Sequence, residues 1–214
     1  MRTAPAAAQS LLSCLTMMDP LLQESLALRA RYDEEPSHTN HVAKLALEIF
    51  DGLKSWHGYG NGPRELLHSA ALLHDIGWSQ TPDGKGHHKW SARLIQDQTW
   101  KHLKREEVAV VAQIARYHRK APPEPGHADF QALSASTQKL VMVLGGILRI
   151  ADALDRTHSA RIERAEASVS AEAILVRVKP AGKWDAERVM FEMKSDMLQL
   201  AAGRAVLCEA LRAA

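Results

Sequence analysis

In the stretch LLHSAALLHDIGWS, Leu66 to Ser79, an adjacent His74–Asp75 pair interrupts an otherwise apolar run. An imidazole nitrogen beside a carboxylate oxygen is a mixed donor pair that suits divalent Mn, Fe, Co, Ni or Zn. Alone, the dipeptide reads equally well as a polar helix end, because Asp is a poor helix-interior residue and Gly77 favours a stop. Two other stretches change that balance. His38 stands four residues before Val42 and seven before Leu45, which places it on their inward stripe if the segment is helical. His41 shares that segment, but Leu45, Glu48 and Gly52 follow it on a mixed face, so His38 is the inward candidate. A buried imidazole needs a partner for each ring nitrogen. In GILRIADALDR, Asp152 lies among Ile147, Leu148, Ile150 and Leu154. An unpaired carboxylate is costly there. Arg149 and Arg156, three residues before it and four after, are its alternative partners. One cation would satisfy His38, His74, Asp75 and Asp152 together; otherwise four buried polar groups need separate partners.

The chemistry such an ion supplies is hydroxide from water near neutral pH and polarisation of a phosphoryl oxygen. Phosphoryl transfer also needs positive charge around the phosphate oxygens. The segment YHRK supplies Arg119 and Lys120 beside His118, and Lys89, Arg116, Arg149 and Arg156 are further candidates. Each alone fits a solvated basic face; as a group beside candidate ligands they favour an anionic substrate. Asp155 is a candidate catalytic base or an orienter of a ligand, or simply a partner of Arg156.

The elements that must carry these residues are mostly helical. Leu21, Leu22, Leu26 and Leu28 recur at helical spacing, and Pro36 sits at a plausible first helical position after a break. A helix bearing Val42, Leu45, Ala46, Ile49 and Leu53 follows, then one over about Pro63–Ile76. The loop QTPDGKG leads to a helix starting near His88 with Ala92, Leu94 and Ile95, and another runs over Arg105–His118. A long helix is expected over about Ser136–Thr157. Beyond Arg161 the pattern alternates around Ile174, Val176 and Val178, which predicts one or two strands. A helix then follows with Val189, Met193 and Leu200 inward, and RAVLCEA ends as a short strand. The expected fold class is mainly α: a helical bundle over 19–160 with a small α+β appendage over 161–214 and an N-terminal extension over 1–18.

Bulk properties narrow the function classes. A chain of 214 residues that is 46% hydrophobic suits one globular domain with a substantial core. A net charge of +2 argues against a dedicated nucleic-acid binder. Cys14 and Cys208 match no zinc or disulfide spacing, which suits a reducing cytoplasm. No apolar run approaches the ~18 residues of a membrane span. Leu11-Leu12-Ser13-Cys14 is a poor lipoprotein box, with a single charge, Arg2, before it, and Met17 or Met18 is an equally good start.

The order His38, His74-Asp75, Asp152 resembles the HD-domain metal-dependent phosphohydrolase superfamily, with HTNHVAKLA and AALLHDIGWS similar to its first two signatures and LRIADALDR to its last. A closer resemblance links HVAKLALEIFDGL, HHKWSARLI, IARYHRK and LRIADALDRTHSARIE to the C-terminal HD region of exopolyphosphatase/guanosine pentaphosphate phosphatase proteins. Those proteins also carry an actin-like phosphatase unit with glycine-rich phosphate loops, for which this sequence has no counterpart. The resemblance implies an HD-domain fold and metal site more directly than polyphosphate hydrolysis. Some superfamily members bind a second ion bridged by the aspartate of the central pair. His87 and His118 are the matching candidates here, with exposed loop histidines as the alternative, while His88 would approach substrate. The His-His-Glu and Gly-Tyr-Pro elements of the cyclic-dinucleotide branch are missing.

The expected activity is thus hydrolysis of a phosphate ester or anhydride (a nucleotide, a guanosine polyphosphate or polyphosphate) with one or two divalent ions, Mn, Fe, Co, Ni, Zn or Mg. The expected metal ligands are His38, His74, Asp75, Asp152, His87 and His118; Asp75 and Asp155 are the catalytic candidates, and His88, Lys89, Arg119, Lys120 and Arg156 the substrate contacts. The alternative is a non-catalytic module that binds nucleotide or polyphosphate and acts with a separate phosphatase unit. A metal-free helical scaffold is the third reading. Edge pairing of the small β segment would make a homodimer.

Overall fold

The computed structural model describes residues 19–211. The N-terminal extension, with Cys14, lies outside them. Helix α1, Pro20–Arg29, starts where the Asp19 side chain accepts from Leu22 N at 3.0 Å. Helix α2, Pro36–Gly52, buries Val42, Leu45, Ala46, Ile49 and Phe50 on one stripe. The short α3, Lys54–His57, ends at Gly58, whose φ of 68° is the left-handed conformation that favours glycine. Helix α4, Asn61–Leu73, gives way to a 3-10 turn over Ile76–Gln80. Next come α5, His87–Asp97, and α6, Arg105–Arg116, where Glu107 reaches back to accept from Lys104 N at 2.8 Å. After the short α7, Ala128–Gln131, comes the longest helix, α8, Ala135–Ala153. It is apolar nearly all round and packs against α2, α4 and α6. No helix among the described residues is long and apolar enough to cross a membrane.

The chain then turns through His158 and Ala160, both at positive φ, into β1, Ile162–Val169, and β2, Ala173–Pro180. Helices α9, Asp185–Lys194, and α10, Asp196–Ala202, precede β3, Ala205–Ala210. The sheet order is β1-β2-β3; β1–β2 is antiparallel and β2–β3 parallel. Ile174, Val176 and Val178 are buried as the alternation requires. The molecule is therefore mainly helical with a small mixed sheet near the C-terminus.

The C-terminal helical segment differs from expectation. Val189, Met193 and Leu200 are exposed by 47%, 66% and 66%. The buried residues are Glu187, Phe191, Met197 and Leu198. Glu187 and Phe191, one helical turn apart, set the inward face of α9, which puts Val189 on the opposite side. A polar residue holds that face because Glu187 Oε1 accepts from Thr157 Oγ1 at 2.5 Å. The helix also breaks at Ser195, so α10 restarts in a different phase.

Arg149 likewise pairs with neither Asp152 nor a phosphate site. It is buried in α8 and donates to Asp196 Oδ1 and Oδ2 at 2.9 and 3.1 Å and to the Tyr117 carbonyl at 3.1 Å. This ties α10 to the bundle. Gly146 permits the approach, since a Cβ there would meet Leu198 N at 2.8 Å. Asp196→Ala would leave the guanidinium buried with one carbonyl partner. It is expected to cost about 3 kcal/mol and lower Tm by ~6–12 °C in a thermal melt.

Candidate metal centre

The four histidines of the site all lie at helix ends. His38 is in the first turn of α2, His74 follows α4, His87 opens α5 and His118 follows α6. The C-terminal ends of helices leave backbone carbonyls without intrahelical partners; His74 and His118 use such carbonyls, while His87 uses that of Gly84 in the preceding loop. His74 Nδ1 donates to Ala71 O at 2.7 Å, His87 Nδ1 to Gly84 O at 2.9 Å and His118 Nδ1 to Ala115 O at 2.6 Å. His38 Nδ1 donates to Asp155 Oδ2 at 2.9 Å. With each Nδ1 engaged as the donor, Nε2 is the nitrogen each ring has left to ligate a metal, once any proton it carries is displaced.

The Nε2 atoms converge on two carboxylates. His38 and His74 Nε2 lie 3.5 and 3.7 Å from Asp152 Oδ1, and 3.8 and 3.6 Å from Asp75 Oδ2. On the other side of the same carboxylate, His87 and His118 Nε2 lie 3.3 and 3.4 Å from Asp75 Oδ1. His87 and His118 Nε2 are 3.3 Å apart. Two lone pairs at that distance repel. Donors around a cation with ~2.1 Å metal–nitrogen bonds sit ~3.0–3.4 Å apart, close to these spacings. His38 Nε2, His74 Nε2 and Asp75 Oδ1 are buried without a hydrogen-bond partner. The donor atoms of His38, His74 and Asp152, and those of His74, Asp75 and His118, each gather within 4.8 Å. The residues present fit a divalent cation, and Asp75 offers one oxygen to each half.

The electrostatics match a site made for positive charge. Burial works to raise the Asp75 carboxyl, but His74, His87 and His118 outweigh it and hold it well below the usual range. Burial likewise opposes ionisation of Asp152, yet the His38 hydrogen bond with His118 and His74 brings it down to about 2. Burial disfavours the His38 cation, but Asp152 and Asp155 push its pKa up to about 10. Burial, reinforced by His74, lowers His118 to about 3. Ion binding at His38 must therefore displace a proton below pH 10, whereas His118 has none to lose at neutral pH. Calorimetric titration with a divalent ion in buffers of different ionisation enthalpy is expected to show about one proton released per protein molecule at pH 7, from His38, and affinity of the His38 half rising with pH.

Asp155 lies behind His38 with both oxygens engaged, Oδ2 by His38 and Oδ1 by the Ala160 N–H at 2.8 Å. It does not pair with Arg156, which is exposed. A cavity of about 730 Å³ opens over the centre, lined by His38, Thr39, Asp75, Trp78 and His158 and rimmed by Asp33, Glu34 and Glu35. A second, of about 380 Å³, is lined by His88, Lys89, Arg116, Arg119 and Lys120. Arg119 joins it to the centre, with Nη1 3.3 Å from His87 Nε2. Arg156 lines neither cavity. Burial and then the charges of His87 and Arg119 take His88 down to about 4.

Three neighbours were not foreseen from the sequence. His158 stacks on His38 with centroids 3.8 Å apart and holds Glu35 Oε2 at 2.8 Å. Trp78 stacks on His87 at 4.4 Å. Both lie inside the quoted stretches AALLHDIGWS and LRIADALDRTHSARIE, which was the only signal. Lys194, from the end of α9, is lowered to about 8 by burial and Arg149, while Asp152 attracts it; nothing local marked it.

Helix-end histidines and aspartates converging inside a helical body define an HD-like domain. The chain belongs to the Ppx/GppA phosphatase family: the sequence profile of that family's domain III matches residues 24–197. This agrees with the resemblance seen in the motifs, and the match runs from α1 into α10 across the onset of the sheet. No curated protein matches the chain significantly.

Proposed function

We propose that the protein is a metal-dependent phosphohydrolase acting on a phosphate ester or anhydride of a nucleotide, guanosine polyphosphate or polyphosphate. The observation that carries this reading is the convergence of four buried Nε2 atoms on the Asp75 and Asp152 carboxylates, with those of His87 and His118 only 3.3 Å apart. His38, His74, Asp152 and Asp75 Oδ2 would hold one ion, and Asp75 Oδ1, His87 and His118 a second. The chemistry such ions supply is activation of water and of a phosphoryl oxygen near neutral pH. The chain's own residues do the rest. Asp155 holds His38 Nδ1 as a donor, so that Nε2 is the nitrogen turned to the ion once its proton is displaced; it is a positioning residue. Arg119, Lys89, Lys120 and His88 receive phosphate oxygens on the basic side.

The test is phosphate release from a panel of nucleotides, guanosine polyphosphates and polyphosphate by Mn²⁺-loaded protein. His74→Ala is expected to lower the rate by at least ~100-fold, the scale on which loss of ligand support acts. No release, or release unchanged in that variant, overturns the reading. A second reading, a binding module that works with a separate phosphatase unit, draws on the match being to domain III. Ligand binding without turnover would favour it.

A further inference from the structure

Glu187, Phe191 and Lys194 share one face of α9, at helical spacing, with the first two buried and Lys194 half-buried. Two contacts fix where that face lies. Glu187 Oε1 accepts from Thr157 Oγ1 near the start of α9. Asp196, just past its end, accepts from Arg149. Helix α9 therefore runs antiparallel to the end of α8, and Lys194 comes alongside the turn that carries Asp152. A lysine on an inward face gives up hydration of its ammonium, which costs free energy unless a carboxylate or a ligand replaces the water. Glu187 has Thr157 for that purpose. Lys194 forms neither a hydrogen bond nor an ion pair among the described residues. The charges that act on it are those of Arg149, Asp152, Arg119 and Asp196. Asp196 is committed to Arg149, and Asp152 faces His38 and His74 Nε2 at 3.5 and 3.7 Å. Burial and Arg149 bring the ammonium down to about 8, so it is still a cation at pH 7. Its nitrogen is not sealed from solvent, so an anion can reach it. Asp152 likewise keeps 23% of its side chain exposed, on a side of the centre outside both cavities.

We propose that Lys194 is a substrate-binding residue of the centre: its ammonium holds a phosphate oxygen beside Asp152, and the C-terminal α+β segment thereby completes a site otherwise built from the helical body. With Asp152 committed to an ion, Lys194 keeps a positive charge that an incoming anion offsets, and the charge of Arg119 adds to it. The nature of that anion, a phosphate chain, rests on the phosphohydrolase reading.

The probe is sodium methylenediphosphonate, whose P–C–P bridge is not hydrolysed, titrated calorimetrically into protein loaded with Mn²⁺ and freed of excess ion. Wild type is expected to bind it. Lys194→Met, which keeps the apolar stem and removes the charge, is expected to weaken binding ~10-fold or more, the scale of a hydrogen bond to a charged group. Lys194→Arg is expected to restore most of the loss. Lys183→Ala, which removes an exposed lysine before α9, is expected to change nothing. Titration of each variant with Mn²⁺ alone separates a structural role. Removing a positive charge near Asp152 is expected to leave Mn²⁺ affinity unchanged or higher, since like charges repel; a lysine that only propped Asp152 in place would lower it when lost. The proposal is overturned if wild type does not bind the diphosphonate, if Lys194→Met binds it as wild type does, or if that variant loses Mn²⁺ affinity in step with the anion. Turnover plays no part in these titrations. Failure to release phosphate from any substrate would sink the hydrolase reading and leave the Lys194 result standing.

Discussion

Asp75→Asn is expected to abolish stabilisation of the protein by divalent ions. The substitution preserves shape and removes one charge, but it removes it from the group shared by both halves of the centre. Asp75 Oδ1 faces His87 and His118, and Oδ2 faces His38 and His74. Losing one outer partner of a metal ligand already costs ~10–100-fold in affinity; losing the bridging carboxylate should cost at least the upper figure for either ion. An ion at 100 times its dissociation constant stabilises a protein by ~2.7 kcal/mol, and for a domain of this size that corresponds to ~5–11 °C in Tm. Wild type should show that rise in thermal melts with Mn²⁺ or Zn²⁺, and the variant none. An equal rise in both would place the ion elsewhere.

Gly77→Ala is expected to damage stability and the His87 half of the centre together. Gly77 sits two residues after Asp75, where its N–H donates to Ser91 Oγ at 2.9 Å. A Cβ there would fall far inside contact distance of the His87 carbonyl and the Ser91 backbone nitrogen. Backbone cannot rotate out of the way as a side chain can, so α5 must move, and His87 is its first residue. Overpacking of this kind costs ~1–3 kcal/mol, and the strained backbone contact puts this case at the upper end. Tm should fall by ~6 °C or more. Affinity for a second ion equivalent should fall at least ~10-fold while the His38–His74–Asp152 half is affected less. Two-step metal titration separates the halves; an equal loss in both would mean that α5 does not act alone.

Much of the helical body was legible because burial leaves a local trace. Val42, Leu45 and Ile49 announce the stripe on which His38 rides, and the apolar company of Asp152 marks a carboxylate that needs a partner. The alternation at Ile174, Val176 and Val178 did the same for the sheet. The inward face of α9 was not legible. Periodicity ranks residues by hydrophobicity, and there a hydrogen-bonded glutamate, Glu187, occupies the face that Val189 would have taken.

Residue types at helical spacing therefore determined by themselves which polar groups enter an apolar interior, and with them the candidate donor set His38, His74, Asp75 and Asp152. Only the tertiary structure decided what each group meets there. Asp155 meets His38 across 117 residues of chain, and Arg149 meets Asp196 across 47, so neither contact leaves a signal in any short window. The placement of an acidic rim over one mouth and unpaired cations in the other is decided the same way. The period of a helix says which side chains turn inward, whereas their partners depend on how the helices cross.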